Sequence, residues 1–553
     1  MLNNKKFPWA ITASALGLIA LGVLAMLGVS PAEMCLIFLY LCTLLGAGAL
    51  LIRNQSGNMP DKLCFCCCAL SAGIFLSYTL GIIIFHYSVI RSVNLEPDVA
   101  VRLGTAMLLV IALMGFKVTG LEGQRLTNNL SALTCCLFIS LIVALATHFG
   151  YDNNTEGLTL KEVLASGQSG ILPNWGWAHD FDAHIRDRTA AIYDHGFPPP
   201  PPERFAHRGI QLLLLNYNLS FGHYDLDKIV HFLKVLSLLS FFCITYITFN
   251  ISHYIYGLSK QVSCVVAVST LIFSPLKLPL LQLSPTYRGF FSASGTFYHN
   301  ITQLSHCAVA VCGLYLLLQA IKNERKSFAA GCFLISASFF LKPSIFTVLA
   351  PVIIILIPFY RTPFEKDKLL GYFSLLCVPL LWRAYTWLLP VSTPPLNPSY
   401  RFFEGYKMTL EGRFPDIIFD NTPLLVGCVF TLSFAAFLPA FGAALVDYYR
   451  ISRTTPNLRA GYRYLRDNSH YLLPVLALML ALVSSMVLAG PGYQINFKWS
   501  AAAAYVLALP VLVAAIVKME SVYWRRFSWV LYGLHLWVGL AYLFHYAYNS
   551  TLF

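Results

Sequence analysis

Residues able to do acid–base and phosphate chemistry crowd one stretch of this chain. Asn174 to Glu203 reads NWGWAHDFDAHIRDRTAAIYDHGFPPPPPE and holds four Asp, two Arg and three His, in a chain only 11% charged. A carboxylate here, Asp182 first and Asp180 second, can deprotonate an acceptor hydroxyl or hold a divalent metal such as Mg or Mn that does so. His184 or His179 can assist proton transfer or phosphate binding. Arg186 and Arg188, with Arg288 further on, supply cations for a departing phosphate. The plain alternative is a solvated surface helix whose charges pair with one another.

The local pattern says how these groups are presented. Phe181 to His195 contains no Pro or Gly, Asp180 or Asp182 can cap its start, and Gly196 follows its end. Read as a helix, Phe181, Ile185 and Ile192 share one side, while Asp180, His184, Asp187 and Asp194 share another. That is an amphipathic helix suited to lie on a membrane surface. Pro198 to Pro202 then form a stiff extended spacer.

The surroundings are greasy. Hydrophobic residues make up 57% of the chain and mean hydropathy is +0.65, outside the range of soluble globular domains. Several apolar runs reach the ~20 residues a bilayer-crossing helix needs. Spans are expected near 9–28, 34–52, 63–87, 103–119, 129–149, 229–251, 261–276, 304–320, 328–341, 344–360, 369–390, 422–446, 470–490, 499–517 and 527–546. The expected fold is therefore an all-α polytopic membrane protein with about 15 transmembrane helices, range roughly 12–15. Fifteen Cys lie almost wholly within apolar runs, so neither a disulfide framework nor a zinc site is expected. The net charge of +13 reads as topology bias and contact with membrane lipids, not as a nucleic-acid footprint.

Orientation follows from the basic residues. With the N-terminus cytoplasmic, alternation puts Arg53 and Lys62, Lys117 and Arg125, Lys322 to Lys326, Arg361 to Lys368, Arg450 to Arg466 and Lys518 to Arg526 on the inner side. The loops 150–228, 277–303 and 391–421 then fall outside, and 150–228 carries the acidic helix. No glycine-rich phosphate loop appears, so a membrane-delivered, lipid-linked substrate is expected. Ionisable residues at membrane depth are functional candidates. Lys342 lies at a Lys-Pro break, Arg383 late in an outward span, and Lys498 at the start of an inward one. With Arg288 they are candidates for a lipid phosphate.

The run from Asp180 through Asp182, His184 and Arg186 to Gly196 and Pro198 resembles the first outer loop of GT-C membrane glycosyltransferases. Tyr298 to Gln303 is similar to the Asn-x-Thr start of a later span in that family. Lys342-Pro343-Ser344 is similar to its Lys-Pro-Ser break, and Asn496 to Trp499 to a short motif of polysaccharide-linked members. The resemblance implies a GT-C-like fold over 129–390 and an inverting transfer of sugar from a polyprenyl-phosphate donor to an extracytoplasmic glycan or lipid acceptor. It also implies a bacterial inner-membrane setting. The family's acidic loop usually follows the first span; here about five spans precede it, so 1–128 reads as a four-helix extension and 391–553 as a C-terminal membrane region. A lipid-linked glycan polymerase or ligase, or a flippase for such glycans, would use the same charges.

Overall fold

Ser30 opens the first helix with a reciprocal cap. Its hydroxyl accepts from the Glu33 amide at 3.3 Å, and the Glu33 carboxylate reaches back to the Ser30 amide at 3.3 Å. In the computed structural model of this protein the described residues are 28–85, 96–118, 127–155, 187–195, 209–274, 301–360 except 343, 365–388, 401–402, 434–442, 466–489 and 494–549, with a few isolated positions besides.

The helices are α1 (Pro31–Leu51), α2 (Lys62–Ile84), α3 (Pro97–Val118), α4 (Leu130–Thr155), α5 (Asp187–His195), α6 (Gly209–Ser220) and α7 (Leu226–Asn250). α7 continues as a π-turn, Ile251–Ile255. There follow α8 (Lys260–Ile272), α9 (Ile301–Asn323), α10 (Phe328–Leu341), α11 (Phe346–Leu356), α12 (Glu365–Leu388), α13 (Ser469–Val487), α14 (Gln494–Lys518) and α15 (Val522–Asn549). One two-residue antiparallel pair joins Arg401–Phe402 to Leu488–Ala489. Among the described residues seven helices are long and apolar enough to cross a membrane, so this is a helical, membrane-embedded chain. The expected span near 9–28 lies almost wholly outside the described residues, and that near 422–446 is described only at 434–442 and 446.

Burial sets the layout. The α9 span is 94% buried and the α14 span 89%, whereas the α3 span is 28% buried. So α9 and α14 run through the middle, and α3 sits at the rim with Leu103, Met107, Val110 and Met114 outward. α1, α2 and α3 form a close trio through small residues. A Cβ at Gly48 would run into the Ala69 carbonyl, one at Gly73 into Leu44 and one at Gly115 into Gly46.

Hydrogen bonds between connections identify two ends. At one, Gln55 donates to the Lys326 carbonyl at 2.7 Å, and the Asp367 carboxylate accepts from the Phe328 and Ala329 amides at 2.9 and 3.4 Å. Asp61 caps α2 through Cys64, and its other oxygen accepts from Tyr246 at 2.7 Å and the Asn128 amide at 3.2 Å. At the other end, Glu33 meets His231 and Asp98 meets His223, each at 2.8 Å.

One segment departs from expectation. The sequence reads 150–228 as a polar loop with surface helices, yet α6 is apolar and buried along eleven of its twelve residues. Twelve residues span roughly 18 Å, too short to cross a bilayer, so the run falls below any span threshold. It inserts instead beside α2, α3 and α7. α4 also runs on to Thr155, past the expected end near 149.

Candidate functional site

The acidic segment reaches the described structure at α5. Asp187–His195 is helical, within the stretch the sequence reads as a helix; Phe181 to Arg186 and Gly196 lie outside the described residues. Its Ile192 and Thr189 are buried against the bundle, and Asp194 is exposed. The Tyr193 hydroxyl donates to Asp98 Oδ1 at 3.3 Å, and the ring stacks on Tyr224 with centroids 5.0 Å apart. The second Asp98 oxygen accepts from His223 Nδ1, which must therefore carry the proton. Burial and the Asp98 carboxylate raise the Tyr193 phenol, so it stays a donor well into the alkaline range. Asp98 is itself buried in the first turn of α3, so the loop segment and the N-terminal trio share one carboxylate.

α6 carries the connection inward. Its Thr105 neighbour on α3 bonds Ser220 at 2.6 Å, and Arg102 donates to the Gly222 carbonyl at 3.0 Å. In mid-helix, Asn216 donates to the Ser77 carbonyl at 2.6 Å, and Tyr40 bonds the Ser77 hydroxyl at 2.8 Å. At its start, a Cβ on Gly209 would meet the Phe340 carbonyl at 2.9 Å and the Leu341 side chain at 3.0 Å. α6 thus runs from the Lys342 break to the Asp98 cluster.

The break itself is polar and closed. Lys342 is 1% exposed, between the end of α10 and the start of α11. The Ser344 hydroxyl donates to Gln303 Oε1 at 3.4 Å, from the start of α9. His306 accepts from the Ile345 amide through Nε2 at 3.0 Å. Its Nδ1–H then faces the Gln303 carbonyl at 3.3 Å. His306 is thus a cap supplied across helices: it satisfies an amide that Pro343 leaves without an intrahelical partner.

The structure gathers some predicted site residues and is silent on others. Asp180, Asp182, His184, Arg186, Arg288 and His179 lie outside the described residues. Arg188 lies on α5, Arg383 near the end of α12 and Lys498 near the start of α14. Following helix direction, α5, Lys342, Arg383 and Lys498 all belong to the end that holds Asp98 and Glu33. Among the described residues no group of three His, Cys, Asp or Glu could hold a metal ion. Three features were missed by sequence reasoning: Asp98, His223 and α6. A lone Asp after a Pro and a 12-residue apolar run carry no distinctive pattern. No protein-family model, curated protein or solved structure matches this chain.

Proposed function

We propose that this chain is an inverting, GT-C-type integral-membrane glycosyltransferase of the cell envelope, acting on the extracytoplasmic side of a bacterial inner membrane. A polyprenyl-phosphate sugar is the donor and a glycan or lipid the acceptor. Asp182 is the base or metal ligand, with Asp180 and His184 supporting it. Arg186, Arg188, Arg288, Lys342, Arg383 and Lys498 are the cations for the donor phosphate.

One observation supports this reading above the others. The described part of the acidic segment, α5, is docked on the end of an apolar helical body through Ile192, Thr189 and the Tyr193–Asp98 bond. Lys342, Arg383 and Lys498 stand on helix ends at that same end. Carboxylates tethered beside a lipid-facing bundle, with cations on its helix ends, suit a substrate that is greasy at one end and anionic at the other.

The test is transfer from a radiolabelled polyprenyl-phosphate sugar by purified protein in vesicles. Asp182→Asn should lose turnover by about 10²-fold or more while still binding donor. Transfer at the wild-type rate would remove Asp182 from catalysis. Unlabelled acceptor with undiminished movement of the lipid-linked glycan across the vesicle would favour a flippase instead.

A further inference from the structure

The opposite end of the bundle carries a second collection of cations, which the glycosyltransferase reading leaves unused. Four elements meet there: the end of α9, the π-turn after α7, the start of α13 and the end of α14. Lys322 donates to the Ile255 carbonyl. Lys518 donates to the Tyr471 hydroxyl and lies 4.4 Å from the centre of that ring. His470 packs on Tyr471 with ring centroids 4.1 Å apart and stacks on Tyr256 at 6.4 Å. The Tyr256 hydroxyl fixes the His470 backbone at 2.9 Å. Tyr256, next to the Ile255 that Lys322 holds, lies 5.4 Å ring to ring from the Tyr471 that Lys518 holds, so the two ammonium groups flank the same rings.

Like charges held together cost free energy unless an anion joins them. Among the described residues neither lysine forms an ion pair. Carboxylates on the connections at this end are engaged or exposed. Asp467 is held by Arg466 at 2.8 Å, Asp367 accepts two amides on α10, and Glu324 and Glu520 are exposed. Each ammonium has three donors and the recorded bonds use one apiece. What remains is a set of N–H donors beside three packed rings, where α9 and α14 end.

We infer that Lys322, Lys518 and His470 form a binding site for the phosphate of an anionic lipid headgroup, with Tyr471 as its floor and the buried Tyr256 behind it. The site is distinct from the proposed sugar-transfer site and does not depend on it. Aromatic rings beside ammonium groups suit a headgroup at the interface, where the glycerol and upper chains lie on the rings and the diester meets the cations.

The full-length protein in phosphatidylcholine nanodiscs with graded phosphatidylglycerol tests this, with bound phosphatidylglycerol counted by native mass spectrometry. Lys322→Gln with Lys518→Gln should weaken retention by about tenfold or more, the scale of a lost charge-assisted hydrogen bond. Lys322→Arg with Lys518→Arg should keep it. Lys366→Gln with Arg526→Gln removes the same charge from exposed positions at the same end and should leave retention near wild type. Equal losses from both glutamine pairs, or none from the first, would overturn the site in favour of diffuse surface attraction. Inorganic phosphate, titrated against bound lipid, separates two sources of the same chemistry. Competition lost in K322Q/K518Q assigns the site to soluble phosphate esters as well; no competition restricts it to the diester in the bilayer plane.

Discussion

Two side chains at membrane depth or at its edge do more than their sequence context shows. His306 supplies the acceptor for an amide stranded by the Lys-Pro break. His306→Ala orphans the buried Ile345 N–H and should cost about 1–3 kcal/mol from that group alone. His306→Gln, which keeps an acceptor within reach, should recover part of it; denaturation in detergent measures both. Equal stability of H306A and wild type would mean that Nε2 is not the partner of that amide. Asp98 is the second case. Asp98→Ala leaves Tyr193 and His223 without their acceptor and should speed exchange of the α5 amides by about tenfold, the equivalent of one modest hydrogen bond. Tyr193→Phe should reproduce part of this, and unchanged exchange in both would uncouple α5 from α3. Neither role is written in the sequence. The pairs His231–Glu33 and His223–Asp98 are 198 and 125 residues apart, and a single chain carries no mark of such distant partners.

At the scale of elements, the long apolar helices were legible because length and hydropathy alone define them. The break at Lys342-Pro343 was legible because Pro cannot continue α10. Pro351, Pro474 and Pro510, by contrast, sit inside α11, α13 and α14, where neighbouring helices hold the backbone in place. α6 was not legible, since a buried half-span looks like a short apolar patch in a loop. Small residues carry the closest contacts. In α1 and α2 the backbones approach until Gly48 leaves no room for a Cβ against Ala69. Gly48→Leu should therefore part α1 from α2 and cut the folded yield sharply in size-exclusion profiles. Gly533→Ala, where a Cβ meets nothing within 4 Å, should be neutral or slightly stabilising, because Ala has the better helix propensity by about 1 kcal/mol. Matching yields for the two variants would show that α1 and α2 do not pack through that face.

Among the described residues as a whole, Lys and Arg are in excess at one end. Lys322, Lys326, Lys366 and Lys518 stand with Gln55 and Asp367 at one end, and Glu33, Asp98, Asp225 and Asp194 with His223 and His231 at the other. Lys and Arg are retained on the cytoplasmic side during insertion, so this excess supports the proposal that the Asp98 end, with α5, faces outward. The assignment is open to direct chemistry, because Asp194 and Lys366 are both exposed and lie at opposite ends. In a Cys35→Ser background, which removes the exposed native thiol, Asp194→Cys should react with a membrane-impermeant maleimide in intact cells. Lys366→Cys should react only after the membrane is opened. The other described thiols lie in helices where burial or lipid shields them and supply a constant baseline, and Cys428 is replaced by Ser in the same background. The reverse pattern would put the acidic segment in the cytosol, beyond reach of a donor presented at the outer leaflet. It would leave the excess of Lys and Arg at one end intact, but the sugar-transfer reading would fall with it, since every described residue in that reading stands at the α5 end.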